Sequence, residues 1–199
     1  MSNIVLKEHY LNKDTFMGAW YIPDFITNDL IYFYKNNHKK LAVPGHSYFK
    51  GSKGVNKEIK QSLDIPISKK NEDYPFFAYR IYLQKCIENY VEKYKALDGL
   101  EPFNINEDYN LQYYPAGGGF KTWHSERIDP SVSKRVLVFM TYLNDVEDGG
   151  TDFLFQKLTT PAKKGLTLIW PSEWTHVHKG QVSKTQEKYI VTGWYSFNE

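Results

Sequence analysis

Apolar positions along the chain follow two different periods, one in each half. In residues 75–97, PFFAYRIYLQKCIENYVEKYKAL, the residues Tyr79, Tyr82, Leu83, Cys86, Ile87, Tyr90, Val91 and Tyr94 recur at steps of three and four. That spacing predicts an amphipathic helix, with Pro75 in its first turn and Gly99 at its stop. The tyrosine stripe reads as core packing. A second helix is predicted over 27–40, TNDLIYFYKNNHKK, where acid and Asn come early and basic residues late. Before it, 18–26 reads as a short strand entering a turn at Pro23-Asp24. Residues 43–73 carry Pro, Gly, Ser and Lys with short extended pieces such as LDIPI, and predict a loop-rich segment.

From residue 109 the pattern becomes β. Strands are expected over 109–114, 135–143, 151–155, 165–170, 174–179 and 187–197, separated by turn signals at 115–119, 144–150, 161–165 and 171–172. Many short strands with turns about every 8 to 12 residues predict a sandwich or barrel. With the helices gathered in the first half, the expected class is α+β: a double-stranded β-helix (jelly roll) with N-terminal helices packed on one sheet. A chain of 199 residues suits one domain, with 1–108 as helical and loop-rich support and 109–199 carrying the jelly-roll motifs.

Charge and composition narrow the function. A formal net charge of +2 gives no electrostatic case for nucleic acid or an acidic membrane. The early lysines, Lys39-Lys40, Lys50, Lys53, Lys57, Lys60 and Lys69-Lys70, read as a solvated face. A single cysteine, Cys86, excludes an intramolecular disulfide and a cysteine zinc site, and fits a reducing compartment. There is no signal-like N-terminus and no apolar run long enough to span a bilayer, so a soluble cytoplasmic protein is expected.

Of six histidines, His9, His38 and His46 lie in terminal, helical or loop contexts and read as surface residues. The other three lie in the β half. In FKTWHSERI, His124 and Glu126 stand two apart, and in an extended segment such side chains share a face. An imidazole and a carboxylate there, with one more histidine from a neighbouring strand, would make the 2-His-1-carboxylate triad that holds Fe(II) with open positions opposite. His176 and His178 are again two apart, and either could complete it. In KYIVTGW, Lys188 shares a face with Ile190, Thr192 and Trp194. A lysine amid apolar neighbours makes sense if an anion enters the barrel.

The stretches LQYYPAGGGFKTWHSERI, RVLVFMTYLNDVEDGGTDFLF, PAKKGLTLIWPSEWTHVHKG and EKYIVTGWYSF, spanning about 109–197, resemble the 2-oxoglutarate- and Fe(II)-dependent oxygenases of the prolyl-4-hydroxylase-like superfamily. The likeness is to the variety common in bacteriophage and marine bacterial genomes. YLNDVEDGGTDF is its most specific motif. The resemblance implies Fe(II), 2-oxoglutarate and O₂ as cofactor and cosubstrates. It implies His124, Glu126 and His178 as iron ligands and His176 as the neighbour of His178, which reads as a residue supporting a ligand or lining the channel. It implies Lys188 as the anchor of the far carboxylate of 2-oxoglutarate, and Tyr114 as a hydrogen-bond donor to the same group, unless a bulge exchanges Tyr114 with Tyr113. Trp194 matches a pocket-lining position, and Arg135 a position without an assigned role. Most of the superfamily carries Asp where this chain has Glu126, so the ligand arm is one methylene longer. A retained carboxylate argues against halogenation.

The expected activity is therefore hydroxylation of an unactivated C–H with release of succinate and CO₂, on a prolyl or other residue of a peptide or on a small molecule. The aromatics Trp123, Trp170, Trp174 and Trp194 are expected to keep water from the oxidant. Residues 43–73 and the 115–119 hairpin are expected as groove walls, with the Gly117-Gly118-Gly119 run as a substrate lid. Two rivals remain: a non-catalytic jelly-roll binding module, and a cupin-type metal enzyme that does not use 2-oxoglutarate. The module needs none of His124, Glu126, His178 and Lys188, and the cupin-type enzyme gives Lys188 no role.

Overall fold

A computed structural model describes residues 4–49 and 52–198. The first half contributes β1 (Lys7–Glu8), β2 (Gly18–Tyr21), α1 (Asp24–Leu41), β3 (Val43–Pro44), β4 (Ser47–Phe49), β5 (Ser52–Gly54), β6 (Lys60–Gln61), β7 (Leu63–Ile67), α2 (Phe76–Lys93) and β8 (Phe103–Asn104). The second contributes β9 (Tyr109–Tyr114), β10 (Gly119–Phe120), β11 (Arg135–Tyr142), β12 (Val146–Phe153), β13 (Leu158–Ala162), β14 (Leu166–Pro171), β15 (His178–Gly180) and β16 (Lys188–Phe197). A large antiparallel sheet runs β1-β2-β14-β11-β16-β9-β7-β3, with β8 also on β16. A smaller sheet, β13-β12-β15, faces it, and β10 pairs with β6 beside it.

The period-two pattern of the central strands explains the layering. On β11, Leu137 and Phe139 pack toward the helices, while Val138, Met140 and Tyr142 turn to the space between the sheets. On β16, Tyr189, Val191 and Tyr195 take the helix side and Ile190 the inner side. One core therefore lies between the large sheet and α1/α2, where Ile26, Leu30, Tyr79, Leu83, Cys86 and Tyr90 are buried. The other lies between the sheets, where Phe153, Val146 and Ala162 meet Trp170, Val138 and Tyr114. The tyrosine stripe of α2 is core packing, and truncating the fully buried Leu83 to Ala is worth about 2–5 kcal/mol. No helix among the described residues is long and apolar enough to cross a membrane.

Several expectations need correction. α1 begins at Asp24, so Pro23-Asp24 opens a helix rather than a turn. α2 stops at Lys93, since Tyr94 leaves helical geometry (φ −125°, ψ 73°), and a 3-10 turn follows over Lys95–Gly99. The strand expected at 151–155 begins at Val146 and ends at Phe153. Leu158–Ala162 is a strand that the sequence pattern did not show, because two threonines and a proline mask its alternation. The strand expected at 174–179 is broken: Trp174–His176 form a 3-10 turn and only His178–Gly180 pair. Segment 43–73 contains β7, which joins the large sheet beside β9. Lys60 is not on a solvated face. It is 5% exposed and paired with Asp64. The early lysines Lys50 and Lys53 lie where side chains are not described.

Candidate active site

The mouth of the jelly roll opens on a cavity of about 690 Å³ between the two sheets. Three side chains converge at one end of it. His124 and His178 sit on facing segments joined by a main-chain bridge, His124 N–H to His178 O at 2.9 Å and His178 N–H to His124 O at 2.8 Å. Each imidazole also has its Nδ1 tied to a main-chain carbonyl: that of Thr122 at 3.0 Å for His124, and that of His176 at 2.8 Å for His178. An Nδ1–H donor there leaves Nε2 with a free lone pair, and both Nε2 atoms stand 3.5 Å from Glu126 Oε1. One ligand atom from each of the three residues lies within 4.8 Å of the others. Phe120 stacks on His124 at 3.7 Å, and Phe153 and Trp170 close around His178.

The electrostatics follow from burial and from this clustering. Burial and the neighbouring His178 lower the pKa of His124. Burial works to raise Glu126, but the hydrogen bonds and charges of the two histidines outweigh it and hold the carboxyl well below its usual range. Two imidazoles that present Nε2 and one carboxylate form a donor set that suits Fe(II).

Glu126 is held from behind as well. Trp194 Nε1 donates to Oε2 at 3.0 Å, and Arg135 Nη1 donates to the Glu126 carbonyl at 3.0 Å. The Arg135 guanidinium lies 3.5 Å from the centre of the Trp194 ring and is fixed on its far side by Glu107. Sequence reasoning gave Arg135 no role and did not find Glu107. They meet where the start of β11 lies beside the end of β16 and the approach to β9, which no local motif announces.

Lys188 lies on β16 with 6% exposure. Its Nζ donates to the carbonyls of Gly149 at 2.7 Å and Gln181 at 3.0 Å. No carboxylate pairs with it among the described residues. Burial pushes its pKa down to about 8, with Asp148 offsetting part of the effect. The paired glycines of YLNDVEDGGTDF make this possible. A Cβ on Gly149 would meet the Val146 side chain at 2.4 Å, and one on Gly150 would meet the Thr160 carbonyl at 2.1 Å. Tyr114 stands directly across from Lys188 in the β9–β16 register, faces the cavity, and has its ring 5.5 Å from Nζ. Tyr113 turns to the helix side against Tyr34 and Tyr189, so no bulge exchanges the two. The Tyr114 hydroxyl donates to Gln112 Oε1 at 2.7 Å, and burial raises its pKa well above the usual phenol value.

Other expected residues fall elsewhere. The His176 ring turns away from the cavity and bonds the Thr15 carbonyl at 2.9 Å and Thr175 Oγ1 at 3.0 Å. Only its main-chain oxygen serves the site, by orienting His178. Trp170 and Trp194 line the cavity, whereas Trp123 and Trp174 are 43% and 67% exposed. The glycine hairpin is pinned rather than lid-like. Gly117 N–H donates to Ser183 O at 2.7 Å, and Gly119–Phe120 pair with Lys60–Gln61.

Residues 109–196 match the family model described as the 2OG-Fe(II) oxygenase superfamily. No curated protein sequence matches. Solved structures share the fold. A prolyl-4-hydroxylase from Pseudomonas putida is 15% identical over 94% of this chain and 95% of its own, with a TM-score of 0.70. A viral collagen prolyl hydroxylase from Paramecium Bursaria Chlorella virus-1, in its 2OG complex, is 17% identical over 95% and 100%, with a TM-score of 0.64. A prolyl hydroxylase from Trichoplax adhaerens, in complex with a hypoxia inducible factor peptide fragment, is 15% identical over 92% and 84%, with a TM-score of 0.69. Over residues 109–196 the chain thus matches the 2OG-Fe(II) oxygenase superfamily model, and it shares the fold of these prolyl hydroxylases around a His-Glu-His cluster.

Proposed function

We propose that His124, Glu126 and His178 hold Fe(II), that Lys188 anchors the far carboxylate of 2-oxoglutarate, and that the enzyme hydroxylates a C–H bond of an amino-acid residue in a peptide. The observation that carries the reading is the pairing of a metal-ligand cluster with a carboxylate-free ammonium in one cavity. A buried ammonium held only by carbonyls is costly, and an arriving carboxylate removes much of that cost. Bound Fe(II) with 2-oxoglutarate and O₂ supplies the oxidative decarboxylation and the oxidant for the C–H bond.

The chain's own groups bind and orient. The Nδ1 contacts aim both imidazoles. Trp194 occupies Glu126 Oε2 and leaves Oε1 facing the cluster. Tyr114 has one proton, now given to Gln112, so its phenol serves the cosubstrate by turning that proton to the incoming carboxylate. Phe120, Phe153 and Trp170 keep water from the histidines. The peptide reading is supported by likeness to prolyl hydroxylases and by walls drawn from 43–66, which leave room beside the cosubstrate. The buried, single Cys86 supports placing the enzyme in a reducing compartment such as the cytoplasm.

The test is a visible spectrum of the protein with Fe(II) and 2-oxoglutarate under anaerobic conditions. A weak metal-to-ligand charge-transfer band is expected in wild type and absent in His178→Ala. Iron binding without the band would favour a cupin-type enzyme, and binding of neither would favour a binding module.

A further inference from the structure

The cavity continues past the metal-ligand cluster to the wall drawn from 43–66, whose polar side chains have no role yet. There Lys60 Nζ donates to Asp64 Oδ2 at 2.6 Å, and both residues are 5% exposed. Gln112 Nε2 donates to the same oxygen at 3.1 Å. The second carboxylate oxygen, Asp64 Oδ1, has no hydrogen-bond partner among the described residues. Neither does Ser47 Oγ, on a residue 6% exposed that lines the same wall. An ammonium has three N–H donors, and Asp64 takes one of Lys60's.

This pair is a poor device for stability. Desolvating two charges costs about as much as their attraction returns, and an apolar pair of the same volume serves as well. The outer side of the pair is already closed. Gly45 N–H donates to Ser62 O at 3.0 Å, and a Cβ on Gly45 would meet Lys60 Cε at 3.0 Å and Asp64 Oδ2 at 3.1 Å. Among the described residues Gly45 covers one side of the pair, and the cavity opens on another. The other cavity cations are committed, Arg135 to Glu107 and Lys188 to the cosubstrate end. Asp64 pairs across from Gln112, and Gln112 from Ile190, so Asp64 stands two strand spacings, about 10 Å, from β16.

We propose that Lys60, Asp64 and Ser47 form a substrate subsite for the main chain of an amino acid. An N–H of the substrate donates to Asp64 Oδ1. Its carbonyl or carboxylate oxygen accepts from Lys60 Nζ and Ser47 Oγ, and its side chain reaches toward the His124-Glu126-His178 cluster. A pair that sums to zero charge prefers an adjacent donor and acceptor, as in an amide or a zwitterion, over a bare anion. The donor and acceptor can come from a free amino acid or from a residue within a peptide. The subsite rests on the oxygenase reading for its role but on protein atoms alone for its binding.

Ligand-observed NMR on the metal-free protein tests it. The probes are the twenty free L-amino acids, their N-acetyl N-methylamides, and the des-amino counterparts of whichever free acids bind. At least one free acid or capped residue is expected to bind, and which set binds identifies the source. Removing the amine from a free acid, or N-methylating the amide of a capped residue, is expected to weaken binding roughly tenfold or more. The double variant Lys60→Met/Asp64→Leu, which removes both charges at similar volume, is expected to keep its melting temperature and lose the same factor. Absence of binding by every probe overturns the proposal, as does binding indifferent to both the probe's N–H and the double variant. A protein that shows the charge-transfer band yet binds no probe keeps the oxygenase reading and loses the subsite. One that binds a probe without ever showing the band does the reverse.

Discussion

Trp194 Nε1 donates to Glu126 Oε2 at 3.0 Å, while Oε1 of the same carboxylate faces the Nε2 atoms of both histidines at 3.5 Å. The two oxygens are thereby given different work. A glutamate arm has one more rotatable bond than an aspartate, and the indole, stacked on Arg135, removes that freedom. Trp194→Phe keeps the ring and deletes the donor. Metal affinity is then expected to fall roughly ten- to a hundredfold with the fold intact, as for other groups that orient metal ligands. Titration with Mn(II) or Fe(II) beside a circular-dichroism spectrum checks it; unchanged affinity would mean that Glu126 is held by its main chain alone.

The buried ammonium of Lys188 makes stability depend on pH and, as the proposed anchor of 2-oxoglutarate, would make cosubstrate binding depend on it too. Its pKa is about 8 in the folded protein and about 10.4 in an unfolded chain. Between these values the unfolded chain holds more protons, so this group makes the unliganded protein more stable as pH rises through that window, and its cost is complete below 8. Lys188→Met should melt above wild type at pH 7, with the difference closing by about pH 10. In wild type, 2-oxoglutarate affinity should fall by about tenfold per pH unit above 8, because binding then needs a proton taken up. A flat affinity between pH 7 and about 9.5 would remove Lys188 as the anchor.

His176 and His178 are two residues apart but differ in kind. His176→Gln is expected to leave the charge-transfer band in place and to cost about 1–2 kcal/mol of stability, through the contact to the Thr15 carbonyl. Loss of the band in that variant would return the His176 ring to the metal site.

Gly150 sits where a side chain would strike the Thr160 carbonyl. Gly150→Ala is expected to push β12 from β13, costing about 1–3 kcal/mol, and to move the adjacent Gly149 carbonyl off Lys188. Weaker 2-oxoglutarate binding together with a lower melting temperature is the expected result. A lower melting temperature with unaltered binding would detach the glycine pair from the anchor.

Much of this protein was legible in its sequence, because much of it is periodic. The step-of-three-and-four stripe of α2 and the alternation on β11 and β16 depend only on which residues share a face, and local geometry fixes that. The same two-residue logic put His124 beside Glu126, and Lys188 on the inner face with Trp194. It failed at His176, where a 3-10 turn breaks the strand and rotates one ring away. Only the tertiary structure decided the remainder. Lys60 looked like one of many solvated lysines until β7 entered the large sheet and brought Asp64 and Gln112 to it. Arg135 reaches Glu107 and Trp194 from separate parts of the chain. A pattern of polarity records a residue's own environment on average; a buried charge pair exists only once distant segments have met, so no local period can record it.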